Sequence, residues 1–403
     1  MIAFDPTDDQ KLMQESVAQL ARHFRARARE TEKLRAIPED MRVAAHSFGL
    51  GLAEVPTELG GAGLGHLTTA LVDEELAYGD PGAGFGIAGP GSFGGAVLEL
   101  GTPEQAKALL ARFSEADGWQ RFGAVAWGEP RASAERPGLV ATATRTADGW
   151  ELRGEKAYVV NADRAEVFVV FAQVDPAAGW RGTGAFVVER GAPGVRVLPR
   201  ETSLGLDAAS FGGVALEGVK VADDRRLLGA SDYHAALVRF FAKQALRVAA
   251  RAVGLARAAF DVAREYGETR RAFGKPIGHF QAVAFTLADR AMDVDAARAL
   301  VWRAAHAWDT GAKESEALLA TARAVSFAQE AAMRCGDDAV QLHGGAGFMR
   351  DYPVEKFMRD AKQLQLCVMT AEQSDQLAAA IELGRAIDPG DVLPSAESQS
   401  AFV

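Results

Sequence analysis

Two clusters of polar residues in the last third of the sequence have the types and spacing to hold a phosphate. The first, TRRAFGKPIGHFQ, carries Arg270 and Phe273 around a Phe-Gly break and puts Gln281 at the start of a helical pattern. The second, QLHGGAGF, carries Gln341 and the pair Gly344-Gly345 just beyond the end of another. A Gly-Gly turn lets a ligand approach the backbone closely, and free N–H groups there bind phosphate oxygens. Arg270 can add a bidentate contact to a pyrophosphate and Gln341 an amide contact. Taken by themselves, the same residues read more simply as helix caps and a surface arginine.

Other chemistry fails on context. GFGIAG, Gly84 to Gly89, matches G-x-G-x-x-G, but no strand-like run precedes it and GPGSFGG follows, so it reads as a close helix–helix turn. The seven histidines lack H-x-x-x-H spacing, and Cys335 and Cys367 are too few for a zinc site or a disulfide scaffold. Two free thiols suit a reducing cytoplasm. There is no G-x-S-x-G elbow and no P-loop. Phe240 and Phe241, with Phe260, fall at helical spacing and read as bundle core.

The elements that must position these residues fall into three textures. The sequence has 403 residues, 48% hydrophobic and 24% charged, enough for two or three domains sharing a sizeable core. Residues 1–118 show helical apolar spacing, as in DDQKLMQESVAQLARHF. Residues 119–230 break into short β-type runs such as GWELRGEKAYVV, EVFVVFAQV and GTGAFVVER, which predict a compact antiparallel sheet domain. Long Ala-rich helices return over 231–388 and predict an antiparallel four-helix bundle. Residues 389–403, rich in Ser, Pro and Asp, predict a flexible tail.

A net charge of -10, with acidic and basic residues interleaved, argues against nucleic acid as a partner. MIAFDPTDDQKLMQ is acidic and polar, unlike a signal peptide. No apolar run approaches the roughly 18 residues of a membrane span. A cytoplasmic protein is expected.

The motifs R-x-x-F-G with F-Q, then Q-L-x-G-G-x-G-F with R-D-A-K, closely resemble those of the acyl-CoA dehydrogenase family. The likeness continues through FGLGLAEVPTELGGAGLG, LVDEELAYGDPGAGFG, LGTPEQAKALL and LRGEKAYVVNADRAEVFVVFAQV, in family order over residues 1 to about 385. The resemblance implies a mainly α fold with a β middle domain, FAD in a cleft between sheet domain and bundle, and an adenine–pyrophosphate end reaching a neighbouring subunit. It implies oxidation of an acyl-CoA thioester. A carboxylate takes the α-proton, the β-hydride passes to flavin N5, and an electron-transfer flavoprotein accepts the electrons. Arg270, Phe273, Gln281, Gln341, Gly344 and Gly345 stand where family members contact a neighbour's FAD.

The departures cluster on the other half of the family site. The family's Thr-Glu-Pro is GEP here, with Gly128 replacing a hydroxyl that bonds the flavin ring. Its Gly-Ser-Asp is SAE, with Ala134 for the serine and Ser133 beside it. Trp-x-Thr becomes Tyr158-Val159-Val160; Tyr158 can still stack on the ring, and Thr370 keeps a position near the cofactor. An Asp and an Arg that meet the thioester become Ala242 and Ala245, and the family's two base positions hold Val368 and Gln244. Glu372, about 6 Å further along a continuing helix, is the nearest displaced base.

The pattern of kept and lost residues therefore points to a non-catalytic, FAD-sharing subunit of a mixed α2β2 tetramer. It is similar to the heterotetrameric acyl-CoA dehydrogenases of actinobacterial steroid side-chain degradation. The alternatives are a homotetramer with a displaced base, a flavin oxidase or monooxygenase on the family fold, and a flavin-free scaffold.

Overall fold

The computed structural model describes residues 6–130, 138–387 and 389–391. The N-terminal helices are α1 (Asp8–Ala26), α2 (Ala28–Leu34), α3 (Glu39–Ser47), α4 (His66–Gly79), α5 (Ala83–Gly86), α6 (Gly91–Leu100) and α7 (Pro103–Leu110). Their starts are written locally. Thr7 with Gln10, and Thr102 with Gln105, form reciprocal capping boxes, and Pro103 follows the second cap. The G-x-G-x-x-G lookalike serves packing, since a Cβ on Gly86 would stand 2.4 Å from the Ala208 carbonyl oxygen.

The middle domain holds β1 (Gly123–Ala126), β2 (Thr142–Thr146), β3 (Gly149–Val160), β4 (Val167–Gln173), β5 (Thr183–Glu189), β6 (Val195–Val197), β7 (Phe211–Val221) and β8 (Arg226–Leu227). Their order is β6-β7-β3-β2-β4-β5-β8, with β1 beside β4. The sheet is mixed, which corrects the antiparallel expectation. β1 runs parallel to β4 from Gly123↔Val167 to Ala126↔Val170, and Thr142 meets Gln173 in the same sense. The β2–β3 hairpin lies between β1 and β4 in sequence and supplies the crossover that a parallel pair requires. β4, VFVVFAQ, is buried at every position, as a strand covered on both faces must be.

The C-terminal domain is built from α8 (Tyr233–Thr269), a short β9 (Arg271–Ala272) and β10 (Lys275–Pro276) ribbon, α9 (Gln281–Asp309), α10 (Glu314–Leu342), α11 (Val354–Leu364) and α12 (Ala371–Glu382). Phe240 and Phe241 are buried in its core, as expected, with Phe260 packed against it. One apolar cluster runs from α6 through the inner sheet face to α8, α10 and α11, so the three zones share a core. Asp309, ending α9, accepts the His66 and Leu67 N–H groups at 2.7 and 2.8 Å and so caps α4.

The acidic run of α4 is spent on this packing. Asp73 pairs with Arg247 and Arg251, Glu74 with Arg257 and Arg298, and Glu75 with Arg257, at 2.6–3.0 Å. The R-D-A-K motif is also structural. Asp360 accepts the Leu206 N–H at 2.7 Å and pairs with buried Lys356 at 2.6 Å, while Arg359 bonds the Leu204 carbonyl.

The expected continuing helix from Val368 to Glu372 does not form. α11 ends at Leu364, Val368 takes a left-handed φ of 65°, and Thr370 caps a new helix through a capping box with Gln373. Of the expected tail, Pro389–Asp391 form a 3₁₀ turn and the rest lies outside the described residues, as do Ser133 and Ala134.

Candidate functional site

The two phosphate-type clusters come together at one end of the bundle. Arg270 ends α8, Gln281 begins α9, Gln341 lies in the last turn of α10, and Gly344-Gly345 follow directly. The link is aromatic: Tyr266 stacks on His343 with ring centroids 4.0 Å apart, and Tyr352 packs edge-on against both. Tyr266 also accepts the Arg270 N–H at 2.8 Å through its carbonyl, so the stack fixes both loops relative to each other.

This end faces outward. Arg270, Gln281 and Gln341 are exposed, and among the described residues none has a side-chain hydrogen bond or ion pair within the chain. Phe273 is 96% exposed, with a left-handed φ of 49° that turns the chain there. Gly344 has φ 56°, and a Cβ on either Gly344 or Gly345 would meet nothing within 4 Å. The geometry leaves backbone N–H groups open to a ligand from outside the chain.

The ring-holding positions lie elsewhere, between the sheet and α8, in different surroundings. Gly128 follows β1, and its carbonyl accepts the Ala157 N–H at 2.8 Å. A Cβ on Gly128 would stand 2.8 Å from the Ala157 carbonyl oxygen, so this backbone has no room for threonine. Tyr158 is exposed at φ 57°, with a ring atom 3.8 Å from that Cβ position. Val160, Cys367 and Val368 all pack against the main apolar core, and Ala242 and Ala245 are fully buried in it.

Thr370 spends its hydroxyl accepting the Gln373 N–H at 3.3 Å. Glu372 is exposed in the first turn of α12, where it complements the helix dipole rather than facing the core.

Sequence reasoning missed Trp127. Its indole stacks on Trp180 at 5.8 Å and meets Phe171 and Phe241 edge-on at 5.1 and 4.8 Å. It bridges the end of β1 to α8 beside Gly128. The sequence signal was an aromatic residue directly before GEP, visible but without meaning until β1 and α8 were packed.

The GEP glutamate is structural. Glu129 pairs with the buried Lys156 at 2.7 Å and accepts the Val140 and Ala141 N–H groups. Burial pulls Lys156 down to about 8 despite Glu129.

Gln244 lines a cavity of about 270 Å³ between residues 50–56, α6 and α8, facing Gly95. The cavity's carboxylates are neutralised: Glu99 pairs with Lys243 and Arg239, and Glu54 with Arg247. Burial raises Glu54, but Arg247 and His66 outweigh it and hold the carboxyl at about 2, too weak a base to take a carbon-bound proton at neutral pH.

Helical, sheet and helical domains sharing one core, with an exposed phosphate-type cluster at one end of the second helical domain, form the architecture of a flavoprotein dehydrogenase. Family models agree along the chain. The acyl-CoA dehydrogenase N-terminal, middle and C-terminal domains match residues 7–117, 124–219 and 234–367.

Among curated relatives, cyclohex-1-ene-1-carbonyl-CoA dehydrogenase of Geobacter metallireducens is 33% identical over 361 residues, covering 89% of this chain and 94% of that protein. The human mitochondrial short-chain specific acyl-CoA dehydrogenase is 33% identical over 80% of this chain and 78% of that protein. Among solved structures, butyryl-CoA dehydrogenase of Megasphaera elsdenii superposes with a TM-score of 0.87 at 29% identity, covering 95% and 100% of the two chains. The chain belongs to the acyl-CoA dehydrogenase family, an FAD-binding family of oxidoreductases acting on acyl-CoA.

Tested against FAD, the two halves of the site differ. The open Gly344-Gly345 cradle and unpaired Arg270, Gln281 and Gln341 fit the adenine–pyrophosphate end. The crowded Gly128 and core-packed Val160 and Val368 do not fit the isoalloxazine end.

Proposed function

We propose that this chain is the non-catalytic, FAD-sharing subunit of a mixed acyl-CoA dehydrogenase tetramer in the cytoplasm. Its exposed half-site completes the adenine end of the FAD held by a homologous partner, and that partner supplies the ring contacts and the carboxylate. When bound, FAD supplies the hydride acceptor for α,β-desaturation of an acyl-CoA thioester, with an electron-transfer flavoprotein as the onward acceptor.

The contribution of this chain is binding and orientation. Arg270 engages the pyrophosphate, Gln281 and Gln341 add amide contacts, and the Gly344-Gly345 turn brings N–H groups to phosphate oxygens. No proton moves on this chain in the reading, because Val368 and Gln244 cannot accept one at neutral pH.

The observation that carries the proposal is the split itself. Arg270, Gln281 and Gln341 are exposed and, among the described residues, unpaired, whereas Ala242 and Ala245 are buried in the core and Val160 and Val368 pack against it. The exposed apolar side chains Phe285 and Met292 on α9 favour a covered surface there. Exposed Glu372 weighs against the displaced-base alternative.

The test is co-purification with a homologous chain that keeps the glutamate, followed by counting flavin. One FAD per pair of chains is expected, with flavin content and activity falling at least about tenfold on Arg270→Ala. One FAD per chain, with desaturase activity from this chain alone, would sink the proposal.

A further inference from the structure

We infer that the outer face of α9 pairs with the same face of a second copy of this chain, antiparallel across a two-fold axis at Ala296. The pairing names what covers the α9 surface and does not depend on the flavin half-site. In a mixed α2β2 assembly it makes the two copies of this chain neighbours of each other.

α9 and α10 are both 29 residues long, yet α10 buries fourteen residues and α9 only five. None of residues 281–293 is buried, although they include Val283, Phe285, Leu287 and Met292. Phe285 and Met292 are 60% and 62% exposed. A helix with apolar residues on more than one side calls for protein on more than one side. Its exposed residues Phe285, Asp289, Met292, Ala296, Ala299, Arg303 and His306 follow one another in alternating steps of four and three. That is the spacing by which one helix keeps a seam against another. Spacing alone fits any exposed helix face, so the residue types must select the occupant.

The seam complements its own reverse. Antiparallel about Ala296, Asp289 meets Arg303 of the second copy, Met292 meets Ala299, and Phe285 meets His306. Charge lies on opposite charge and a long side chain on a small one, as an isologous contact requires. Asp289 and Arg303 are exposed, and neither has a hydrogen bond or ion pair among the described residues. They stand about 21 Å apart along the helix, too far to pair within one chain. Ala296 at the axis lets the two helices approach to about 8 Å. A parallel pair would set Asp289 on Asp289 and Arg303 on Arg303. A slip of one heptad either way would set both charges opposite uncharged residues. The two charges thus fix both direction and register, and only a second copy supplies the matching seam.

The test is the oligomeric state of the purified full-length chain by sedimentation velocity, where a dimer is expected. Asp289→Arg and Arg303→Asp should each weaken it at least about tenfold, with circular dichroism unchanged because both positions are on the surface. The reversed pair D289R/R303D should return to within about threefold of the parent, as should an equimolar mixture of the two single variants. Ala296→Cys should give a disulfide-linked dimer on air oxidation. Ala282→Cys, whose two copies would lie about 40 Å apart, should not. A monomeric parent, a dimer insensitive to both charge changes, no recovery in the reversed pair, or equal crosslinking at 282 and 296 overturns the inference. Assembly only with a homologous chain gives α9 another occupant and overturns it too. None of these readouts uses flavin, so the FAD-sharing reading stands or falls separately on its flavin count.

Discussion

His343 stacks on Tyr266 with ring centroids 4.0 Å apart and planes 19° from parallel, and this contact joins two loops more than seventy residues apart in sequence. Tyr266 lies one turn before Arg270, and His343 directly precedes Gly344. A single aromatic stack therefore sets the spacing between the guanidinium and the Gly-Gly turn of the proposed half-site. Tyr266→Ala should cost about 0.5–1.5 kcal/mol of stacking beyond the buried area, and it should lower flavin retention in the mixed assembly. Tyr266→Phe keeps the ring and should keep both. Equal losses in the two variants would remove the stack from the explanation.

The same histidine gives a pH dependence. Burial lowers the His343 pKa, while its Nδ1 donates to the Ala339 carbonyl at 2.7 Å. Its Nε2 is buried without a hydrogen-bond partner among the described residues. The unfolded chain then binds a proton more readily than the folded one below the ordinary histidine range of about 6.5. Stability is full above that range and falls as the pH drops through it. His343→Phe should flatten this limb in urea melts between roughly pH 5 and 7.

Glu54 titrates lower. With its carboxyl held at about 2, it contributes stability above the ordinary carboxylate range and loses that contribution as pH falls toward about 2. Glu54→Gln should cost about 1.5–3 kcal/mol at pH 7, the scale of a charge-assisted hydrogen bond, and should reduce the acid sensitivity below about pH 4.5. An unchanged acid midpoint in Glu54→Gln would show the Arg247 pair to be energetically idle.

Glu129, the glutamate of GEP, is held by Lys156 at 2.7 Å and by the Val140 and Ala141 N–H groups. Glu129→Gln strands Lys156, whose side chain is fully buried, and should cost about 3–5 kcal/mol. The double variant E129Q/K156M should recover most of that loss, because the unpaired charge goes with it. A double variant as unstable as the single would assign the cost to the Val140 and Ala141 hydrogen bonds instead.

Glu372→Gln should leave both stability and the partner's activity unchanged, within about 0.5 kcal/mol, as for an exposed surface position. Val368→Glu should not install desaturase activity in the chain alone. The new carboxylate would arise on a left-handed turn packed against the core, with the ring contacts still missing. Turnover by Val368→Glu alone would mean that the ring half is functional.

Much of this molecule is legible in one dimension. The capping boxes at Thr7 and Thr102 lie in four-residue signatures, and the change from helical to β-type spacing marks the three textures. Thr370-Ala-Glu-Gln373 carries the same signature. It announces the helix break that a continuing-helix reading overlooked.

The polar residues of the proposed half-site could be named from the sequence too, because arginine, glutamine and paired glycines keep their chemistry wherever the chain takes them. The parallel β1–β4 pair was not, since strand direction depends on a crossover and not on the residues of either strand.

By itself the sequence determined the family, the elements and the identities of the groups kept and lost, because these depend on residue type and local spacing. Only the tertiary structure decided where those groups stand. It drew Arg270 and Gly344 to one exposed end through Tyr266 and His343. It also drew Trp127, Phe241 and Val368 into one core from three distant segments. Burial and ring contact are properties of packed surfaces, and no spacing rule along the chain encodes which surfaces will meet.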